Sequence, residues 1–156
     1  MLSQTIEYAL RAMTHLAALP AGESASSAVI AQHTKVPQGY LSKVLRDLVV
    51  ADLVTSQRGP HGGFMLSRGA REVSIYDVVA AVDPLQRITH CPLGNPDHVK
   101  LCPLHRRLDD AVDMVEREFK GTSLLELLTE HADGRRGCEQ LTTLTARGDA
   151  PARGRR

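Results

Sequence analysis

The segment Cys91-Pro-Leu-Gly-Asn-Pro-Asp-His98-Val-Lys-Leu-Cys102-Pro-Leu-His105 places two thiols and two imidazoles within fifteen residues. Thiolate sulfur and neutral imidazole nitrogen are the donors of zinc sites and of many iron–sulfur centres. Two thiols in one loop are also the parts of a reversible disulfide, provided their Cα atoms come within about 7 Å. The pattern therefore points to a bound cluster, a zinc ion or thiol oxidation. Against these stands the plain alternative of two isolated thiols among surface histidines. Cys138 follows Gly-Arg-Arg-Gly in a polar stretch and is left outside the group.

What must position these groups is a chain of 156 residues, enough for one domain or one domain with an appended helix. With 2 Phe, 3 Tyr and no Trp, its core has to be built from Leu, Val, Ala and Ile, a composition that favours helices. The net charge of +1 excludes a chain-wide attraction to polyanions, so a nucleic-acid contact needs a local basic patch. Residues 1–70 carry four Arg and two Lys against two Glu and two Asp, a net of +2. The cysteines are odd in number, no signal peptide precedes them, and no stretch approaches the ~18–20 apolar residues of a membrane span. A cytoplasmic protein with reduced thiols is expected, without a membrane partner. No HExxH, GxSxG or phosphate-loop pattern occurs, so an enzyme is not expected.

Apolar residues at helical spacing predict a first helix over 4–18, stopped by Pro20-Ala21-Gly22. Ser26 or Ser27 can cap a short second helix over 28–33. After a turn at Thr34 to Val36, Pro37 suits the first position of a third helix, whose inner face is Leu41, Val44, Leu45 and Leu48. Leu53–Ser56 and Phe64–Ser67 read as strands joined by a glycine-rich turn. Ser74 and Asp77 resemble a capping box for a fourth helix ending at Asp83-Pro84. Residues 85–101 carry few periodic signals and read as a loop. A long amphipathic helix over 103–119 then carries Leu104, Leu108, Ala111, Val112, Val115 and Phe119 along one side, a narrow stripe suited to pairing with another helix. A short helix follows over 122–128, and the basic, Gly- and Ala-rich end of the chain reads as disordered.

The ordered set of helix, turn, helix and glycine-rich hairpin is that of a mainly α, winged helix-turn-helix domain that binds double-stranded DNA. The third helix offers Gln38, Tyr40, Ser42, Lys43 and Arg46 to base edges and phosphates, while the hairpin offers Arg58 and His61. The expected organisation is a winged domain over 1–83, a sensor loop over 84–102, a dimerisation helix with a short terminal helix over 103–129, and a tail over 130–156.

The run from Ile30 to Ser67, IAQHTKVPQGYLSKVLRDLVVADLVTSQRGPHGGFMLS, resembles the IscR–NsrR–CymR family of bacterial winged-helix regulators, the Rrf-two type. Glu7-Tyr8-Ala9-Leu10-Arg11-Ala12 and the stretch Ser74 to Pro84 resemble the same family, so the likeness spans about residues 1–130. It implies a homodimer that crosses its long helices on a roughly palindromic operator, in most cases as a repressor. Cluster-binding members carry three cysteines in this region. Cys91 and Cys102 resemble the outer two; the middle one is missing, with Asn95, Asp97 and His98 nearby. His105 stands three residues after Cys102, as a ligand histidine does in the IscR type. Glu7 stands where some relatives supply a carboxylate from the partner subunit, and His33 is displaced by one from a position that supplies a histidine across the dimer. The resemblance thus implies a mixed-ligand iron–sulfur site drawn from Cys91, Cys102, His105, Glu7 and His33, more readily 2Fe–2S than 4Fe–4S. Zinc, a thiol switch or control by a protein partner without a cluster are the alternatives.

Overall fold

The computed structural model describes residues 2–59, 62–92, 94 and 101–129. Its elements run α1 (Gln4–Ala17), α2 (Ser27–Thr34), α3 (Gln38–Val50), β1 (Val54–Gln57), β2 (Gly63–Leu66), α4 (Ile75–Val82), α5 (Pro103–Gly121) and α6 (Leu124–Thr129). The expected tail over 130–156, with Cys138, lies outside the described residues.

Local chemistry accounts for the helix ends. Ser3 and Ser26 each accept the backbone N–H three residues on, opening α1 and α2. Ser74 and Asp77 form the reciprocal capping box expected for α4: Ser74 Oγ accepts from Asp77 N–H at 3.1 Å, and Asp77 Oδ2 accepts from Ser74 N–H at 2.9 Å. Pro37 sits one position earlier than expected, as the cap of α3 rather than its first residue. Its extended backbone turns the chain out of the left-handed Lys35 (φ 58°), which ends α2.

The core is aliphatic. Ile6, Ala9, Ala12, Met13 and Leu16 of α1 pack with Ile30 of α2, Leu41, Val44, Leu45 and Leu48 of α3, and Val73 and Val78 at α4. Burying each large aliphatic side chain contributes roughly 1.5–3 kcal/mol. Leu124 of α6, fully buried, returns to this core. Its N–H donates to Val73 O at 2.9 Å, and Ile75 N–H donates to Thr122 O at 3.0 Å. The last helix therefore closes onto the winged core, while α5 runs outside it with Glu116 as its only buried residue.

The strands pair antiparallel, Val54 with Leu66 through Gln57 with Gly63. Each is shifted by one residue from the expected span, because Leu53 N–H is taken by Leu48 O (3.0 Å) as the chain leaves α3. The hairpin is fastened to the helices by a bridge in which Ala25 N–H donates to Phe64 O at 3.0 Å and Phe64 N–H donates to Ala25 O at 2.8 Å. Glycine is required beside it: a Cβ on Gly63 would stand 2.7 Å from the carbonyl carbon and oxygen of Ala25. At the turn, a Cβ on Gly62 would stand 2.4 Å from Gln57 O.

One chemical change is therefore expected to act with opposite signs at two sites. Gly63→Ala pushes on backbone and should cost about 1–3 kcal/mol. Gly39→Ala lies in α3 with nothing within 4 Å of the new methyl and should stabilise by about 0.5–1 kcal/mol. Urea unfolding midpoints of the two variants against wild type check this; equal shifts would refute the placement of the hairpin.

Candidate functional site: the recognition face and the cysteine segment

Helix α3 buries Leu41, Val44, Leu45 and Leu48 and turns the rest outward. Gln38, Tyr40, Ser42, Lys43 and Arg46 are all exposed, as is Arg58 at the start of the hairpin turn. Tyr40 is held edge-on to Tyr8 of α1, ring centroids 5.9 Å apart. Ser42 commits its hydroxyl proton to Gln38 O at 3.0 Å, so its oxygen faces outward chiefly as an acceptor. Among the described residues no carboxylate pairs with Lys43, Arg46 or Arg58. These cations are thus uncommitted, and Arg46 lines an open groove between α3 and the hairpin with Ser27, Ser42 and Ser56 over Leu45 and Phe64. Hydroxyls, a guanidinium and the start of a helix along one groove form a surface suited to a phosphate backbone. Ser27 and Ser56 were not among the residues expected from sequence; the signal for Ser27 was its place at the opening of α2. His61 lies outside the described residues.

In the cysteine segment, Cys102 is the cap position of α5 and Pro103 takes its first position. Cys102 Sγ is 3.2 Å from His105 Nδ1, one turn into the helix, and Cys91 Sγ approaches the same nitrogen at 3.9 Å. Both thiols are half-buried and are not joined in a disulfide. The segment leading to Cys91 is fastened by Arg87. Its Nε and Nη2 donate to the two oxygens of Asp109 at 2.7 Å each, and its Nη1 donates to Asp113 Oδ1 at 2.8 Å. Asp109 Oδ1 also accepts from Ile88 N–H at 2.9 Å. The bond from Arg87, then that from Ile88, hold the Asp109 carboxyl down to about 2, from an ordinary 3.8.

The match to known proteins follows this geometry. A family model described as "Iron-dependent Transcriptional regulator", Rrf2, matches residues 2–130. The chain belongs to the Rrf2 family. It is a transcriptional regulator by that membership. Among solved structures, CymR, the global cysteine regulator of B. subtilis, superposes with a TM-score of 0.69 at 24% identity over 81% of this chain and 95% of that one. IscR of T. potens gives 0.69 at 21% identity, covering 86% and 93%. CymR of Staphylococcus aureus gives 0.65 at 26% identity, covering 84% and 99%. These superpositions establish the winged-helix fold.

Within a single chain of this Rrf2 protein the five expected ligands do not gather at one point. Cys91, Cys102 and His105 converge. Glu7 instead pairs with Arg11 on α1. His33 stacks on His15, ring centroids 5.0 Å apart, and bonds Val29 O through Nδ1 at 2.9 Å. His15 is buried, its Nε2 has no partner among the described residues, and burial, then the charge of His33, lowers its pKa. No group of three or more His, Cys, Asp or Glu among the described residues is arranged to hold a metal ion. Two sulfurs and an imidazole are the right donor types for a cluster, but both sulfurs address one nitrogen, so binding would require His105 to turn or further donors to enter. Arg87 escaped the sequence reading, although Asp109 and Asp113 at i, i+4 on one edge of α5 ask for a cation.

The Asp109 shift fixes a pH dependence. Its folded value lies below its unfolded one, so this carboxylate's contribution is complete above about pH 4 and fades as pH falls toward 2. A ¹³C-carboxyl titration of Asp109 is expected to give a midpoint near 2. In Arg87→Ala it should move back toward the ordinary value. An identical midpoint in both proteins would rule out Arg87 as the cause.

Proposed function

We propose that this Rrf2 regulator is a homodimeric repressor that binds a roughly palindromic duplex operator through α3 and the hairpin, and whose affinity is set by the state of Cys91, Cys102 and His105. The observation that carries this reading is the meeting of both thiols with His105 at the start of α5. On that helix Leu104, Leu108 and Val115 remain exposed along one stripe. Leaving such a stripe uncovered on a 19-residue helix is unfavourable, and a second copy crossing it buries it. Each copy then presents one α3, and half-sites about one duplex turn apart, ~34–36 Å, read the pair. A shift at the head of α5 moves the two reading helices relative to each other, and operator affinity follows their spacing.

Cys91, Cys102 and His105 would hold a [2Fe–2S] cluster together with Glu7 or His33 from the second copy. When bound, the cluster supplies a one-electron centre that reacts with oxidants or nitric oxide. The chain's own residues would orient it and fasten it to α5. A cluster-free thiol switch is favoured by a separate observation: Cys91 and Cys102 approach the same His105 nitrogen, at 3.9 and 3.2 Å, so two thiols share one site within a single chain.

Anaerobic absorbance with iron and sulfide analysis separates the two. Wild type is expected to show visible bands that Cys102→Ala loses; a colourless wild type after reconstitution would discard the cluster and leave the thiol switch.

On the DNA side, Arg58→Ala should weaken binding to all duplexes alike and lower the salt-dependence slope by about 1. Gln38→Ala or Lys43→Ala should instead lose about 1–3 kcal/mol of discrimination at one base pair. Unaltered base preference in both α3 variants would refute α3 as the reading helix.

A further inference from the structure

Residues 84–91 have no regular secondary structure, yet they are held at several points along one edge of α5. Arg87 grips Asp109 with two parallel bonds of 2.7 Å and Asp113 with one of 2.8 Å, while the next N–H along, that of Ile88, donates to Asp109 at 2.9 Å. Four residues after Arg87 comes Cys91, and four residues before Asp109 comes His105, which Cys91 approaches at 3.9 Å. Four residues of helix rise about 6 Å. The segment is thus laid antiparallel on α5 and fastened at two adjacent turns. The same edge continues to Glu116, 3.9 Å from Arg87 Nη1, and from Glu116 to Lys120 at 3.3 Å. Lys120 lies 4.2 Å over the ring of Tyr76, which is on α4. A continuous line of contacts therefore joins the cysteine segment to the helix that packs into the winged core.

We propose that Arg87 is a positioning residue: it sets the register of the cysteine segment on α5 and conveys a change at Cys91 to α4 and the DNA-reading domain. This rests on the sensing reading above. A lone surface ion pair does little to order a chain. Here one planar guanidinium meets two carboxylates, and one of those carboxylates also takes a backbone N–H, which fixes direction as well as distance. Lysine, a point charge with no fork, cannot reproduce that geometry.

The test uses the full chain carrying Cys102→Ser and Cys138→Ser, so that Cys91 is its single thiol. Three quantities are measured: the rate of maleimide addition to Cys91, amide exchange over 88–91, and affinity for a duplex selected from a random pool by wild type, before and after maleimide. Arg87→Ala is expected to speed maleimide addition and amide exchange about tenfold. It should also reduce the affinity change on modification to less than about twofold. Asp109→Asn should act alike from the other partner, and Arg87→Lys should fall between. Arg117→Ala, which removes an exposed pair with Asp113, should leave all three quantities at the parent values. An unchanged addition rate in Arg87→Ala, or an undiminished affinity change, would overturn the proposal. If modification leaves the parent's affinity unaltered, the conveying role falls and the addition rate alone decides the register, while the sensing reading, which needs Cys102 as well, is judged by the absorbance test on wild type.

Discussion

Helix α1 has to be covered on most of its sides, and the rest of the molecule is arranged to cover it. Ile6, Ala9, Ala12, Met13 and Leu16 are all nearly inaccessible, and even Thr14 and His15 are buried. Ala9 and Ala12 leave room for neighbouring backbones, while Met13, fully inaccessible, supplies the bulk of this face of the core. Of the polar groups that this burial traps, Thr14 is answered locally, whereas His15 Nε2 has no partner among the described residues. Thr14 donates to Leu10 O at 2.8 Å, and Arg11 reaches Thr34 O at 3.5 Å, tying α1 to the end of α2. Because α2, α3, α4, α6 and the hairpin all seat on this one rod, the orientation of the outward face of α3 is inherited from it.

The two functional regions follow different physical logic. The recognition face is a matter of exposure and charge: a helix anchored by four apolar residues presents cationic side chains that no carboxylate among the described residues pairs with. The cysteine region is a matter of attachment, since a loop without regular structure is placed by ion pairs and by the capping position of Cys102. Arg87 there is kept protonated, with its pKa raised first by the bond to Asp109. The two regions meet through α4, whose capping box sets its start and whose Val78 and Val79 are buried.

Much of this was legible in the sequence because it is encoded locally. Serine caps, the Ser74–Asp77 box, the 3.6-residue periods of α1, α3 and α5 and the glycines of the hairpin are all short-range signals. Where the reading slipped, a longer-range contact decided. Both strands lie one residue nearer the turn than expected because Leu53 first completes the exit from α3, and the seating of α6 on the core rests on the buried Leu124 and its bond to Val73, which no local pattern records. The cysteine site was half legible: the spacing of Cys102 and His105 places them one helical turn apart. The approach of Cys91 depends on Arg87 finding an aspartate 22 residues away, and no local pattern records that. For Glu7 and His33 a single chain offers no meeting point with the thiols.

The bridge between Ser74 and Ser123 gives the chain a topology with its own consequence. It joins the beginning of α4 to the beginning of α6, so the stretch between them, including the cysteine segment and α5, is an excursion whose two ends are pinned side by side. Lengthening or shortening such a closed loop changes its closure entropy only logarithmically, by about 0.6 kcal/mol for a doubling. The folding of the winged core is thereby made tolerant of the length of its excursion, while the line from Arg87 through Glu116 and Lys120 to Tyr76 still couples the two. Ligand spacing, a missing cysteine or a different effector can be tried out in that stretch while the DNA-reading half folds as before.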